Sequence, residues 1–148
     1  MSVKQTMEIL EKVAEIATLA GLKGHMDEEA MRYFIGIGLE GDRKQAVYIR
    51  DTTRSDEHKI VTIYSPCLIV KKGFFAGVSK NQAIELLRLN EALHFARFGI
   101  IETEKESIVV ASVDHLLDTL DPGEFEASVF CVAQAADMYE KKFGKDEF

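Results

Sequence analysis

Apolar residues recur near the start of the chain at Val3, Met7, Leu10, Ala14 and Ala17, in steps of four and three, with Val13 and Ile16 widening the stripe. That period predicts an amphipathic helix with one broad buried face. Ser2 followed by Gln5 forms a capping box that starts it, and Gly21 and Gly24 end it. The period then drops to two. Met31, Tyr33, Ile35, Ile37 and Leu39 alternate with Arg32, Phe34, Gly36 and Gly38, which predicts a strand with one buried face. The other face, built from Phe34 and two glycines, is either bare to an approaching partner or covered by a helix packed over the glycines.

Glu40-Gly41-Asp42 reads as a turn, Gln45 to Arg50 as a second strand and Asp51 to Glu57 as a polar loop. Lys59 to Ser65, rich in Ile, Val, Thr and Tyr, reads as a third strand. Pro66 cannot donate to a ladder, so the chain bends, bulges or lies on an edge there, with Cys67 to Val70 as a possible continuation. A second helix opens at Ser79, again with a glutamine three residues on at Gln82, and carries Ile84, Leu86, Leu87, Leu89 and Leu93. Leucines on more than one stripe imply burial on more than one side, by the domain core or by a second subunit.

Ala96 to Glu102 and Ser107 to Val113 form a hairpin through Thr103 to Glu106. The last helix has Asp121 as its N-cap, Pro122 at the first position and Glu124 at the third. Phe125, Val129, Val132, Ala136, Tyr139 and Phe143 make its main stripe, and Ala127, Cys131, Ala135 and Met138 run beside it. Lys141 and Lys142 suit the carboxyl end of the helix dipole, and Gly144 ends the helix. The order α-β-β-β-α-β-β-α contains no repeated αβ unit. The fold class is therefore α+β: a mainly antiparallel, twisted sheet with helices packed on it, in one domain over residues 1–148.

Composition narrows the function. The 148 residues are 47% hydrophobic and 29% charged, a globular balance. A net charge of −7 repels phosphate backbones and anionic lipid surfaces, so neither nucleic acid nor membrane is an expected partner. The one local basic pair, Lys71-Lys72, reads as a solvated strand end. The apolar stretch from Ile60 to Val70 falls short of the roughly 20 residues a membrane helix needs, and no signal peptide is expected at the N-terminus. Cys67 and Cys131 have neither disulfide nor zinc spacing and read as small core residues of a reducing, cytoplasmic compartment.

Catalytic signatures are missing. The sequence contains no G-x-G-x-x-G, P-loop, G-x-S-x-G or H-E-x-x-H. His25 with Asp27, Glu28 and Glu29 has metal-ligating residue types but reads as an acidic loop or the first turn of something helical. His58 reads as exposed, and His94 as a cation at a helix end. His115, after a strand and near Asp114 and Asp118, resembles a base with its orienter, but no nucleophile is spaced to join it. Arg50-Asp51-Thr52-Thr53-Arg54 could grip an anion with two guanidinium groups; a surface loop with an internal salt bridge is the expectation.

The second half resembles a known family. Leu86-Leu87-Arg88-Leu89-Asn90, then Phe95-Ala96-Arg97-Phe98-Gly99-Ile100, then Ile108-Val109-Val110-Ala111, then Leu117-Asp118-Thr119-Leu120-Asp121-Pro122 before the closing helix, is similar to the class I type III secretion chaperone fold and to the related YbjN-like domains. The resemblance covers roughly residues 79–143; Gly41 to Val47 is faintly similar to the YbjN-like proteins, and residues 1–40 match only in element order and acidity. It departs at Pro66 and at the long lead-in Lys71 to Val78.

The resemblance implies a small, acidic, bacterial, cytoplasmic homodimer that binds protein, uses no cofactor and is not an enzyme. Such chaperones hold an extended segment of one partner, and the helix matching residues 79–94 often lies at their dimer interface. YbjN-like domains imply a regulatory or chaperone-like role. The expected partner contacts are Met7, Leu10, Ala14, Phe34, Phe74 and Phe75, and the expected dimer contacts are Leu86, Leu89 and Leu93. Phe74 and Phe75 are a sticky patch if their loop is exposed and core if it packs back. Two competing readings are a regulatory domain for a small ligand or signalling partner, and a metal-dependent enzyme using His25, Asp27 and Glu28 or His115 and Asp118.

Overall fold

The computed structural model describes residues 2–55, 57–73 and 77–143. Its elements run α1 (Val3–Leu19), β1 (Gly24–Asp27), β2 (Arg32–Gly38), a 3-10 turn (Glu40–Asp42), β3 (Lys44–Asp51), β4 (Ile60–Lys71), α2 (Lys80–Ala92), β5 (Arg97–Glu102), β6 (Glu106–Leu116) and α3 (Pro122–Phe143). The strands form one antiparallel six-stranded sheet in the order β1-β2-β3-β4-β6-β5. The α+β class is as the sequence predicts, with one strand more.

The extra strand is β1. Gly24 does not end the first helix; Gly21, with φ of 74°, does that three residues earlier. Gly24 instead pairs with Ile35 at the edge of the sheet. A Cβ there would lie 2.5 Å from the carbonyl oxygen of Phe34 and 2.5 Å from the Tyr33 ring, so the position has no room for a side chain.

Both serine capping boxes form, Ser2 with Gln5 and Ser79 with Gln82, each closed by backbone and side-chain hydrogen bonds. Asp121 accepts from the Glu124 N–H at 2.8 Å and starts α3. Gly144, expected to end α3, lies outside the described residues. Pro66 is accommodated by a bulge: the β4–β6 register shifts between Pro66 and Leu68, and the side-chain amide of Gln45 donates to the Pro66 carbonyl at 2.9 Å. Strand β6 runs three residues further than its apolar pattern suggested, so His115 lies within it, opposite Val61.

One side of the sheet is core. Tyr33, Ile35 and Ile37 of β2, Val47 and Ile49 of β3, and Val61 and Ile63 of β4 pack with Leu10, Val13 and Ala17 of α1, Leu86 of α2, and Phe125, Val129 and Val132 of α3. All three helices contribute to that single cluster. Cys67 is buried in it, while Cys131 is half-buried and packs from outside. Burial pushes the Cys67 thiol pKa far up, with a smaller push from the nearby Glu140 charge. Among the described residues, no helix is long and apolar enough to cross a membrane.

Candidate functional site

On the opposite face of the sheet no helix among the described residues covers Gly36 and Gly38, and both glycines are exposed. Alternation puts Phe34, Tyr48 and Tyr64 on this face, in register across β2, β3 and β4. Their rings form a ladder with His25 at its end: His25 to Phe34 at 4.8 Å, Phe34 to Tyr48 at 5.5 Å, Tyr48 to Tyr64 at 5.5 Å between centroids. Cross-strand aromatic pairs of this kind stabilise a sheet by about 0.2–1 kcal/mol each. The Arg32 guanidinium lies 4.0 Å above the Tyr48 ring, and that of Arg50 lies 5.2 Å above Tyr64. Arg32 is also tied to Asp27 at 3.0 Å. Burial alone would lower its pKa, but hydrogen bonding to Tyr64 and Asp27 raises it overall.

Beyond Tyr64 the face dips into a groove of about 440 Å³ that crosses from β3 to β5. Arg50, Arg54, Thr62, Tyr64, Ser112 and Asp114 line it with polar groups; Ile60, Val110 and Ile101 supply apolar wall, and Gly99 contributes bare backbone. Thr62 donates to Asp114 at 2.5 Å and pairs with Thr52 at 2.8 Å, so this carboxylate is already satisfied in part. Arg50 is different. Its Nε is buried without a hydrogen-bond partner among the described residues, and leaving a buried donor unpaired costs about 1–3 kcal/mol. The expected salt bridge within the Arg50–Arg54 loop does not form. Asp51 points to the helix side, where it accepts from Thr6 at 2.9 Å and from the Thr53 N–H at 2.9 Å.

The strand positions of the open face carry more cations than anions. Register places Arg32, Lys44, Arg50, Lys71 and Arg97 on the open face against Asp27, Glu106 and Asp114. This face therefore carries a cationic excess within a chain of net charge −7.

The remaining expected site residues scatter. Phe34 sits on the open face, half-buried in the ring ladder. Leu10 is 0% exposed, so it is core and not a contact residue; Met7 and Ala14 are half-buried against the same core. Phe74 and Phe75 lie outside the described residues. On α2, Leu86 is buried by its own chain, and Leu89 and Leu93 pack partly against the core. The apolar residues that α2 turns outward are Leu87, 71% exposed, and Ile84.

The metal and acid–base sets do not converge. His25 stacks on Phe34, Asp27 holds Arg32 and the Ala30 N–H, and Glu28 is exposed. His115 meets the buried hydroxyl of Ser128 at 2.7 Å, while Asp114 projects to the other face and Asp118 pairs with Lys12. Among the described residues, no group of three or more His, Cys, Asp or Glu side chains is placed to hold a metal. No protein-family model matches the chain, and no curated protein is significantly similar to it in sequence.

Proposed function

We propose that the chain is a non-catalytic protein-binding domain that holds an extended segment of a partner protein, as the class I secretion chaperones and YbjN-like proteins it resembles imply. The observation that carries this reading is the open sheet face: a ring ladder beside a groove, with all three helices gathered on the opposite side. A surface of this kind offers flat aromatic area and a trough for side chains, which suits a chain that arrives unfolded. Homodimerisation through the outward residues of α2, Ile84 and Leu87, is part of the same proposal, as is a cytoplasmic setting of bacterial type. Two linked faces would add avidity to a weak contact.

The test uses an unfolded probe, reduced carboxymethylated α-lactalbumin, titrated into isotopically labelled protein. Backbone NMR shifts are expected to move at Phe34, Tyr48, Tyr64 and Ser112, with α1 and α3 still. A response confined to the helices, or no response at millimolar probe, would sink the open-face reading.

A further inference from the structure

The sequence singled out Arg50 and Arg54 as a pair able to grip an anion, and the structure leaves both facing one groove without an internal ion pair to a described carboxylate. Three observations converge there. Arg50 Nε is buried and has no hydrogen-bond partner among the described residues. The surrounding face has a cationic excess in an acidic chain. Apolar wall from Ile60, Val110 and Ile101 lies beside the guanidinium groups. We propose that Arg50 and Arg54 form a carboxylate subsite, where an Asp or Glu side chain of the partner segment docks with its apolar neighbours against that wall. The inference rests on the open-face reading and names the chemistry the face selects.

A carboxylate matches the planar, forked donors of arginine, which can bind it through two parallel hydrogen bonds. A polyanion fits worse. The chain's overall charge repels it at long range, and Asp114 in the same groove opposes a second negative charge next to the first. The segment would also lie across the strands, because the groove runs from β3 to β5. Pairing with an edge is not required.

The experiment selects random twelve-residue peptides displayed on phage against the immobilised full chain. Enriched sequences are remade with fluorescein and measured by anisotropy. Acidic residues flanked by apolar ones are expected, and changing the acidic residue to its amide should weaken binding about tenfold. In Arg50→Gln or Arg54→Gln protein, checked for folding by circular dichroism, acid and amide peptides should bind alike. Arg54, on an exposed loop, serves if Arg50→Gln fails to fold. Enriched peptides without acidic residues, whose binding depends on Tyr48 but not on either arginine, would overturn the carboxylate subsite and keep the open-face reading. No enrichment at all would overturn both. Tighter binding of a phosphopeptide or of oligo(dT) than of the acidic peptides would overturn the choice of carboxylate.

Discussion

The side chain of Asn90 makes to Phe98 both of the hydrogen bonds that a neighbouring strand would make. Its amide donates to the Phe98 carbonyl at 3.2 Å, and its oxygen accepts from the Phe98 N–H at 2.6 Å. Phe98 belongs to β5, the last strand of the sheet, so Asn90 caps an edge that would otherwise template pairing with another chain. Strand addition at that edge is thereby obstructed at Phe98. Replacing Asn90 with Ala removes both bonds and uncovers the edge. The expected result is a loss of about 1–3 kcal/mol in urea unfolding, together with concentration-dependent self-association in light scattering. Unchanged stability would mean that water replaces the cap without cost.

A second prediction concerns the polar knot between β3 and α3. Arg43 bonds to Asp137 and reaches Glu140 at 3.5 Å, Gln45 donates to Glu140 at 3.2 Å, and Lys141 pairs with Asp137 at 3.0 Å. The Glu140 side chain is fully buried. Arg43→Met takes the guanidinium away from two buried carboxylates, leaving Asp137 with Lys141 and Glu140 with the Gln45 amide, and should cost up to about 3–5 kcal/mol. The triple change Arg43→Met, Asp137→Leu, Glu140→Leu should recover most of that, because the desolvation of the charges disappears with the charges.

The same knot sets an acid limit. Burial alone would raise the pKa of Asp137, but hydrogen bonds from Arg43 and Lys141 outweigh it and hold the carboxyl below its ordinary value. A carboxyl with a folded pKa below its unfolded one stabilises the fold fully above the unfolded value. That contribution fades as pH falls through the ordinary Asp range and is gone below the folded pKa. Chemical unfolding should therefore show a stability loss below about pH 4. Asp137→Asn should flatten that part of the profile while lowering stability at pH 7.

Dimerisation can be tested at a single helix. Leu86 faces the core at 5% exposure, whereas Leu87 next to it is 71% exposed. If α2 joins two copies, light scattering should give a dimer for wild type and a folded monomer for Leu87→Glu. Leu86→Glu should unfold the chain instead. A wild-type monomer at every concentration would remove α2 from the proposal.

How far the sequence carried depended on the range of each interaction. Ser2, Ser79 and Asp121 were legible as caps because a cap involves residues three positions apart. The two faces of β2 were legible from alternation. Strand β1 was not, because four residues are too few to show a period and Gly24 also suits a helix end. Leu10 was read as a contact because an apolar stripe does not reveal what covers it. Arg50 and Arg54 were seen as a pair, but that no described carboxylate pairs with them was hidden. It depends on pleating, which sends Asp51 to the opposite face from Arg50. Asn90 stood out only as part of a Leu-Asn helix end, since its role requires knowing that β5 is an edge.

The two thiols should report separately on this core. Cys67 is buried, its Sγ donates to the Val109 carbonyl at 3.2 Å, and its pKa is pushed far up, so little thiolate exists near neutral pH. Cys131 is half-buried on α3, beside Gln134 and Met138 at the helix surface. A disulfide-exchange reagent added to folded protein should modify Cys131 within minutes. Cys67 should react only as fast as the core opens, and its rate should rise with urea in step with global unfolding. Fast modification of both thiols in native buffer would mean that β4 detaches at its Pro66 bulge without the rest of the sheet.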